Sequence, residues 1–398
     1  MAECFWQNLV LTEEDCDAPV AEIPAFGDFI QRAELVGPGP VDYFGRWVAI
    51  DAETAMISVS KSPGADDSLA DNSCNTVVYT RSGETWTEGD TLSETQTMEV
   101  RQVTGDLAVF TTYDDVDTGG VYVYQRSGGT WSNLQLIELP NSGDTILALD
   151  AAMSPDGEWL AIGCYNQTDS ATNPGYVRMY QWNGANFVYS SQIEAPNAPG
   201  VYEYFGYALA LSSTGVMLVG AYGNDDSGSN DGQVYVYALS GGSWGLDYAI
   251  GPTVNESSTG FGHSVAITAD GIGAAIGDRR GGLSTYYDEG SGLTYEQRLD
   301  PGVIGVVGAQ ISDDALTTAQ YTDGFAVDSL ISINEYDAGW SETQSFSPDH
   351  PDLATAWIAI TSMDMRDGQL IVGCVELETG DGLIDGQGFV YIYSRDPI

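Results

Sequence analysis

The sequence predicts an all-β fold, a closed ring of small four-stranded antiparallel sheets, and three observations predict it. A unit of about 50 residues recurs along the chain. Each copy holds four short runs rich in Val, Ile, Tyr and Trp, separated by Gly, Asn, Asp and Ser clusters, the pattern of strands joined by turns. The last copy breaks off one strand short, while a strand of matching pattern stands alone near the other end of the chain. A sheet of four short strands cannot bury both faces alone, so stacking the sheets radially about an axis is what covers them.

The clearest copy is YFGYALALSSTGVMLVGAYGNDDSGSNDGQVYVYALSGGSW, from Tyr204 to Trp244. Its first strand follows Phe205 and Gly206, its second is Val216 to Gly220, its third Val234 to Tyr237, and its fourth begins at Trp244. The first copy opens at Tyr43 with YFGRWVAI and continues through MISVS, the acidic GADDSLADNSCN, VVYT and RSGETW. The second keeps DLAVFTT, YDDVDTGG, VYVY and RSGGTW, and the third LDAAMSPDGEWLAIG, YVRMYQW and a fourth strand near Phe187. The fifth is GFGHSVAITADGIGAAIGD with LSTYY; the sixth is IGVVGAQISDDALTTAQY with SLISINEY and Trp340; the seventh is AWIAITSMDMRDGQLIVG with GFVYIY.

These copies place blades at approximately 43–92, 95–140, 146–197, 203–250, 258–300, 302–347 and 353–398. After VYIYSRDP, Ile398 leaves no room for a fourth strand in the last one. GDFIQRAELVGPG (Gly27 to Gly39) is similar to the fourth-strand segments SNLQLIELP and YSSQIEAP, so residues 27–37 are expected to complete it and remove an open sheet edge. The predicted fold is a seven-bladed β-propeller over residues 24–398, closed by the N-terminal strand, with residues 1–23 outside as an arm.

Phe44 and Gly45, Phe205 and Gly206, and Phe261 and Gly262 open strand sets, and a later Gly-Cys or Gly-Ala follows at Gly163, Gly220 and Gly373. This pattern resembles the FG-GAP repeat, and the resemblance covers roughly residues 24 to 398. It implies a seven-bladed propeller like the head of integrin α chains. The second, third, sixth and seventh copies lack a clean Phe-Gly, so the blades have diverged. In integrin-like members a DxDxDG calcium loop joins the first two strands of some blades. Here those hairpins read AETA, SPDG, SSTG, TADG and MRDG, with too few oxygens for the roughly six to eight ligands of Ca²⁺.

Acidic segments gather instead between second and third strands, at Gly64 to Asn72, Tyr113 to Gly120, Gly223 to Gly232 and Glu376 to Gly386. Asp114, Asp115 and Asp117, or Asp225, Asp226, Asn230 and Asp231, offer hard oxygens of the kind Ca²⁺ takes, though in no known calcium-loop order. The alternative is that such residues are what exposed turns use, and that excess carboxylate keeps the chain soluble in salt. No catalytic residue emerges. His263 and His350 fall in different copies, GHSVA is not G-x-S-x-G, and H-E-x-x-H is absent. His263 reads as a packed or capping residue, Cys164 and Cys374 as small core residues, and the Trp heading a fourth strand as an anchor between blades.

The chain carries 58 Asp plus Glu against 12 Lys plus Arg, a formal charge of −46, and its one Lys is Lys61. Such a surface repels phosphate backbones and anionic lipid, which argues against nucleic-acid and membrane partners and for cations or a basic partner. The first twenty residues carry no Lys or Arg and are broken by Glu3, Glu13 and Glu14, so no secretory signal is read; no apolar run is long enough to span a membrane. The five Cys are too few for a disulfide scaffold, although a Cys4–Cys16 bridge stays open.

The expectation is a soluble chain of cytoplasmic synthesis, not an enzyme, acting as a scaffold or binding module that presents acidic loops to a protein or glycan partner. Two alternatives stand beside it. One is a structural or receptor-binding component of a virus particle, for which an acidic, Lys-poor, display-type chain is suited, as part of a larger assembly. The other is a propeller glycoside hydrolase using two channel carboxylates.

Overall fold

The computed structural model describes residues 29–37, 42–61, 74–94, 98–113, 119–139, 146–166, 175–196, 203–224, 231–252, 259–280, 282–288, 290–299, 307–312, 317–322, 330–336, 340–346, 357–366, 368–377 and 388–395. Among them no helix is long and apolar enough to cross a membrane. The chain is an all-β propeller with four-stranded antiparallel blades.

After β1 (Phe29–Val36), β2 (Asp42–Ile50), β3 (Thr54–Lys61), β4 (Cys74–Ser82) and β5 (Thr85–Ser93) form one sheet in that order. The next holds β6 (Glu99–Thr104), β7 (Leu107–Tyr113), β8 (Gly119–Ser127) and β9 (Thr130–Glu138). It is followed by β10 (Ile146–Met153), β11 (Trp159–Asn166), β12 (Tyr176–Trp182) and β13 (Phe187–Glu194). Then come β14 (Ala208–Leu211), β15 (Val216–Ala221), β16 (Gln233–Ser240) and β17 (Ser243–Ile250), and β18 (Ser264–Ile267), β19 (Gly273–Gly277), β20 (Leu283–Asp288) and β21 (Leu293–Leu299). β22 (Val307–Ile311), β23 (Thr317–Thr322), β24 (Leu330–Tyr336) and β25 (Trp340–Phe346) precede the C-terminal β26 (Trp357–Arg366), β27 (Gln369–Leu377) and β28 (Gly388–Arg395). β1 supplies the fourth strand of that last sheet, pairing antiparallel with β28 so that Phe29 faces Arg395 and Val36 faces Phe389.

The first strand of each sheet is innermost. β2 lies beside β6, β6 beside β10, β10 beside β14, β14 beside β18, β18 beside β22, β22 beside β26, and β26 beside β2. Among the described side chains, the residue opening a fourth strand packs onto the preceding sheet, as expected for an anchor. Trp131 joins Val78 and Leu92, Phe187 joins Val109 and Val121, Leu293 joins Leu218 and Val234, and Phe29 joins Ile331 and Ile333. Trp244 meets Trp159 edge-on at 5.6 Å.

The outermost strands share a second device. Their register slips against the third strand at one place: between Asn133 and Gln135 in β9, Tyr189 and Ser191 in β13, Leu246 and Tyr248 in β17, and Tyr295 and Gln297 in β21. β1 slips at the matching place, between Gln31 and Ala33, which marks it as a fourth strand in geometry as well as in position. A bulge bends and twists an edge strand and makes it a poor template for another chain.

Backbone contacts between sheets explain the Phe-Gly pairs. Phe44, Phe205 and Phe261 are fully buried, and the glycine after each takes a left-handed conformation, with φ of 89° at Gly45, 86° at Gly206 and 83° at Gly262. Each Phe-Gly turn lies on a floor of two glycines from the preceding sheet. Gly373 and Gly388 floor the turn at Phe44, Gly163 and Gly175 that at Phe205, and Gly220 and Gly232 that at Phe261. A Cβ on any of the six would overlap a backbone carbonyl oxygen of the turn above it. The Gly45 carbonyl also accepts hydrogen bonds from Thr361 Oγ1 at 2.8 Å and Ser362 Oγ at 3.1 Å. Before the second and third sheets, which have no Phe-Gly, the floor position by register holds buried Ser58 and Thr111, and Ser58 Oγ accepts from the Val100 amide of β6 at 3.1 Å; β19 keeps Gly277 there although the sheet after it also lacks the motif.

Gly163→Ala is therefore expected to cost roughly 3 kcal/mol or more in urea unfolding, from overpacking against Gly206. Gly245→Ala, on an outer strand with nothing within 4 Å of the added carbon, should stay within about 0.5 kcal/mol of the parent. Equal effects would show that the close approach is not what the glycine serves.

Candidate functional site

The innermost strands enclose an axial cavity of about 190 Å³. Its polar lining is Arg101, Gln102, Asp150, Gln310, Asp364 and Arg366, and the other lining residues are aliphatic, Met or Pro, with no aromatic ring among them. A second cavity of about 340 Å³ opens at the hairpin end and shares Pro155, Ala269 and Arg366 with the first.

Asp150 and Asp364 are the carboxylates that a channel hydrolase would need, and both are committed to the backbone. Asp150 Oδ1 accepts from the Ala151 amide at 2.9 Å, and its Oδ2 from the Leu209 amide of β14 at 2.8 Å. Asp364 Oδ1 accepts from the Met365 amide at 2.9 Å, and its Oδ2 from the Ile50 amide of β2 at 2.9 Å. Each carboxylate thus ties its own inner strand to the next. Burial raises the pKa of both; Arg101 beside Asp150 and Arg366 beside Asp364 pull the other way, as do the amide bonds.

Glutamines do related work elsewhere. Gln102 spans to β10 by accepting from the Met153 amide at 2.9 Å and donating to the Met153 carbonyl at 2.8 Å. On outer strands, Gln135 pairs in the same way with Phe187, and Gln344 with Phe29.

The loop-bearing end has a different character. At the hairpin end, first and second strands are joined by segments as short as 51–53 and 105–106, whereas second-to-third connections at the opposite end run over 62–73, 167–175, 222–232 and 378–387. Three of the four acidic segments fall on these longer connections, and the fourth, Tyr113 to Gly120, on the short 114–118 connection at the same end. Of the candidate Ca²⁺ ligands, Asp114, Asp115, Asp117, Asp225, Asp226 and Asn230 lie outside the described residues. Asp231 is described and buried, and its carbonyl accepts from the Phe261 amide at 3.0 Å and from Thr259 Oγ1 at 2.7 Å, so its backbone serves the seam between sheets. Among the described residues no cluster of three or more His, Cys, Asp or Glu could hold a metal ion.

The hairpin carboxylates close their own turns. Asp270 Oδ1 accepts from Thr268 Oγ1 and the Ile272 amide, Asp156 Oδ1 from Ser154 Oγ and the Glu158 amide. His263 packs against Tyr207 at 4.9 Å and Tyr222 at 5.3 Å; burial, with Arg279 nearby, lowers its pKa to about 4, so it is neutral at pH 7. Cys164 and Cys374 are buried free thiols whose pKa burial raises, to about 12 for Cys164. Sequence reasoning passed over Asp150 and Asp364. The available signal was a lone Asp within an inner strand, in LDAAM and in TSMDM.

Residues 196–237, the stretch containing Phe205-Gly206 and Gly220-Ala221, match the FG-GAP repeat. No curated protein matches the chain. Among solved structures, Raptor of Chaetomium thermophilum is similar, with a TM-score of 0.57 and 12% identity over 94% of this chain and 29% of that one. At that identity the likeness shows the fold alone, and this chain spans less than a third of that protein's length.

The raised pKa values of Asp150 and Asp364 give the pH dependence its sign. A carboxyl whose pKa is higher folded than unfolded contributes stability that is fully present below the unfolded value and is lost as pH rises through the folded one. Melting temperature is expected to rise as pH falls through the raised folded pKa values towards the ordinary Asp value of about 3.9. Asp150→Asn/Asp364→Asn should flatten that slope, while lowering stability at the acid end because an amide offers one acceptor where the carboxyl offered two. An unchanged slope in the double variant would show that these two groups do not carry the effect.

Proposed function

We propose that the chain is a non-catalytic, seven-bladed β-propeller over residues 24–398 that presents acidic loops from one end to a protein or glycan partner. The observation that carries this reading is the inequality of the two ends. Tight hairpins whose side chains are used internally close one end, and long connections rich in Asp and Glu leave from the other. Seven blades are supported by the seven sequence copies and by the circle of neighbouring inner strands that returns from β26 to β2. The FG-GAP match at residues 196–237 agrees with a binding module, although fold alone selects no function.

A glycosidase reading is disfavoured by the same channel that suggested it. Glycoside hydrolysis needs an acid and a base free to face the sugar, with aromatic or polar groups to hold it. Here all four oxygens of Asp150 and Asp364 take backbone amides, and no aromatic ring lines the channel.

Binding of the intact protein to arrayed glycans and basic proteins tests the proposal against Asp225→Asn/Asp226→Asn/Asp231→Asn. A ligand that the parent holds and the variant loses by about tenfold, with affinity falling as salt rises, is the expected result. Turnover of aryl glycosides that vanishes in a folded Asp150→Asn or Asp364→Asn would overturn it.

A further inference from the structure

Every large apolar side chain that is exposed among the described residues sits on an outermost strand. Tyr189, Leu246 and Tyr295 stand out because they occupy one equivalent position, two residues after the anchors Phe187, Trp244 and Leu293. By register they face Tyr180, Tyr237 and Tyr286 of the third strands. They belong to consecutive sheets, since β10, β14 and β18 are neighbours about the axis. The same position holds Gln31, Glu88, Asn133 and Glu342 on the other outermost strands.

Within the fold the position makes cross-strand contacts only, among the described residues: Tyr189 and Tyr295 stand edge-on to Tyr180 and Tyr286 at 5.8 Å each. Tyr189, Leu246 and Tyr295 are 48%, 47% and 45% exposed, so they add little to the core. On β5 the polar choice helps the fold, because Glu88 accepts from the Tyr79 hydroxyl at 3.4 Å. On β21 the position offers an aromatic edge 5.8 Å from Tyr286, whose buried hydroxyl has no hydrogen-bond partner. Leaving a buried hydroxyl without an acceptor costs stability. That cost falls at β21 alone, but exposed apolar groups repeated at one position on three neighbouring sheets fit an interaction surface.

We propose that this rim, over β13, β17 and β21, docks a protein surface that is apolar at its centre and ringed by Arg and Lys. Charge selects that occupant. Exposed Asp247 and Glu296 adjoin Leu246 and Tyr295, and exposed Glu194 ends β13. Arg178, half-buried, lies 4.5 Å from the Tyr189 ring centre, so acids outnumber cations beside the row by three to one among these residues. A second copy would bring the same acids and a further −46 to the contact, and like charges across an interface are repulsive. The surface is distinct from the loop-bearing end and extends the binding role beyond it.

The test is fluorescence polarisation with a labelled amphipathic helix carrying Leu on one face and Arg on the other. Control helices carry Glu in place of Arg, or Ser in place of Leu. The full chain should bind the Leu/Arg helix about tenfold more tightly than either control, and Y189S/L246S/Y295S should lose that margin. D225N/D226N, on the loop end, should keep it, which separates this surface from the one proposed above. Equal affinity of parent and triple variant, or equal binding of the Glu helix, overturns the proposal. So does self-association of the parent in concentrated salt that the triple variant abolishes, because the occupant would then be a second copy. All three changes are at exposed positions, and a melting curve matching the parent's confirms that the variant is folded.

Discussion

The seating of a Phe-Gly turn on two glycines of the preceding sheet is the contact on which the rest of the ring depends. Burying a Phe contributes about 2–3 kcal/mol, but only if the backbone around it can approach the neighbouring sheet closely. Glycine at Gly163 and Gly175, or at Gly373 and Gly388, removes the Cβ that would hold the two sheets apart. The left-handed glycine of the turn then points its carbonyl, and that of the Phe before it, onto that floor. The Gly45 seat joins the first sheet to the last, so the contact that spaces neighbours also helps close the circle, alongside the β1–β28 ladder. Where the next sheet lacks the motif, Ser58 and Gln102 reach a backbone group of the next inner strand; Asp150 and Asp364 do the same at seams that also have the Phe-Gly seat.

Much of this was legible in the residues. Strand and turn alternation marks the sheets, Trp-headed fourth strands mark the anchors, and the likeness of GDFIQRAELVGPG to other fourth strands marks β1 as the closing piece. Half of each glycine seat was hidden. Gly163, Gly220 and Gly373 end a strand in a visible motif, but Gly175, Gly232 and Gly388 end polar connecting segments and read as ordinary loop glycines. Their need for close approach exists only once a neighbouring sheet is present. Asp150 and Asp364 were illegible for a similar reason. A carboxylate in an inner strand looks like a polar interruption until the amide of the next strand, at Leu209 or Ile50, is brought to it. The rim row escaped because Tyr and Leu at Tyr189, Leu246 and Tyr295 fit the apolar alternation of any strand. Only the bulge register aligns them with one another and against Glu88 and Asn133.

Charge sets the conditions under which these contacts act. A molecule with −46 formal charge repels itself at low salt, so the seats, anchors and inner-strand bridges work against a standing electrostatic load. Burying Asp150 and Asp364 adds to that load when they ionise and relieves it when they are protonated. The surface fits the same economy: acids are frequent on the connections at one end, the channel carboxylates are held by backbone, and among the described residues the exposed large apolar groups are confined to the outer strands.

The seat is tested most directly by a double-mutant cycle on Gly45→Ala and Gly373→Ala, residues of the first and last sheets, with unfolding free energy as the readout and Gly45→Ala with Gly163→Ala as the unrelated pair. If one alanine already forces the two sheets apart, the second should add little, giving a coupling of about 1 kcal/mol or more for the seat pair and additivity within about 0.5 kcal/mol for the other. Additivity in both pairs would mean that Gly45 and Gly373 do not share a contact, contradicting the account of how the ring is spaced and sealed.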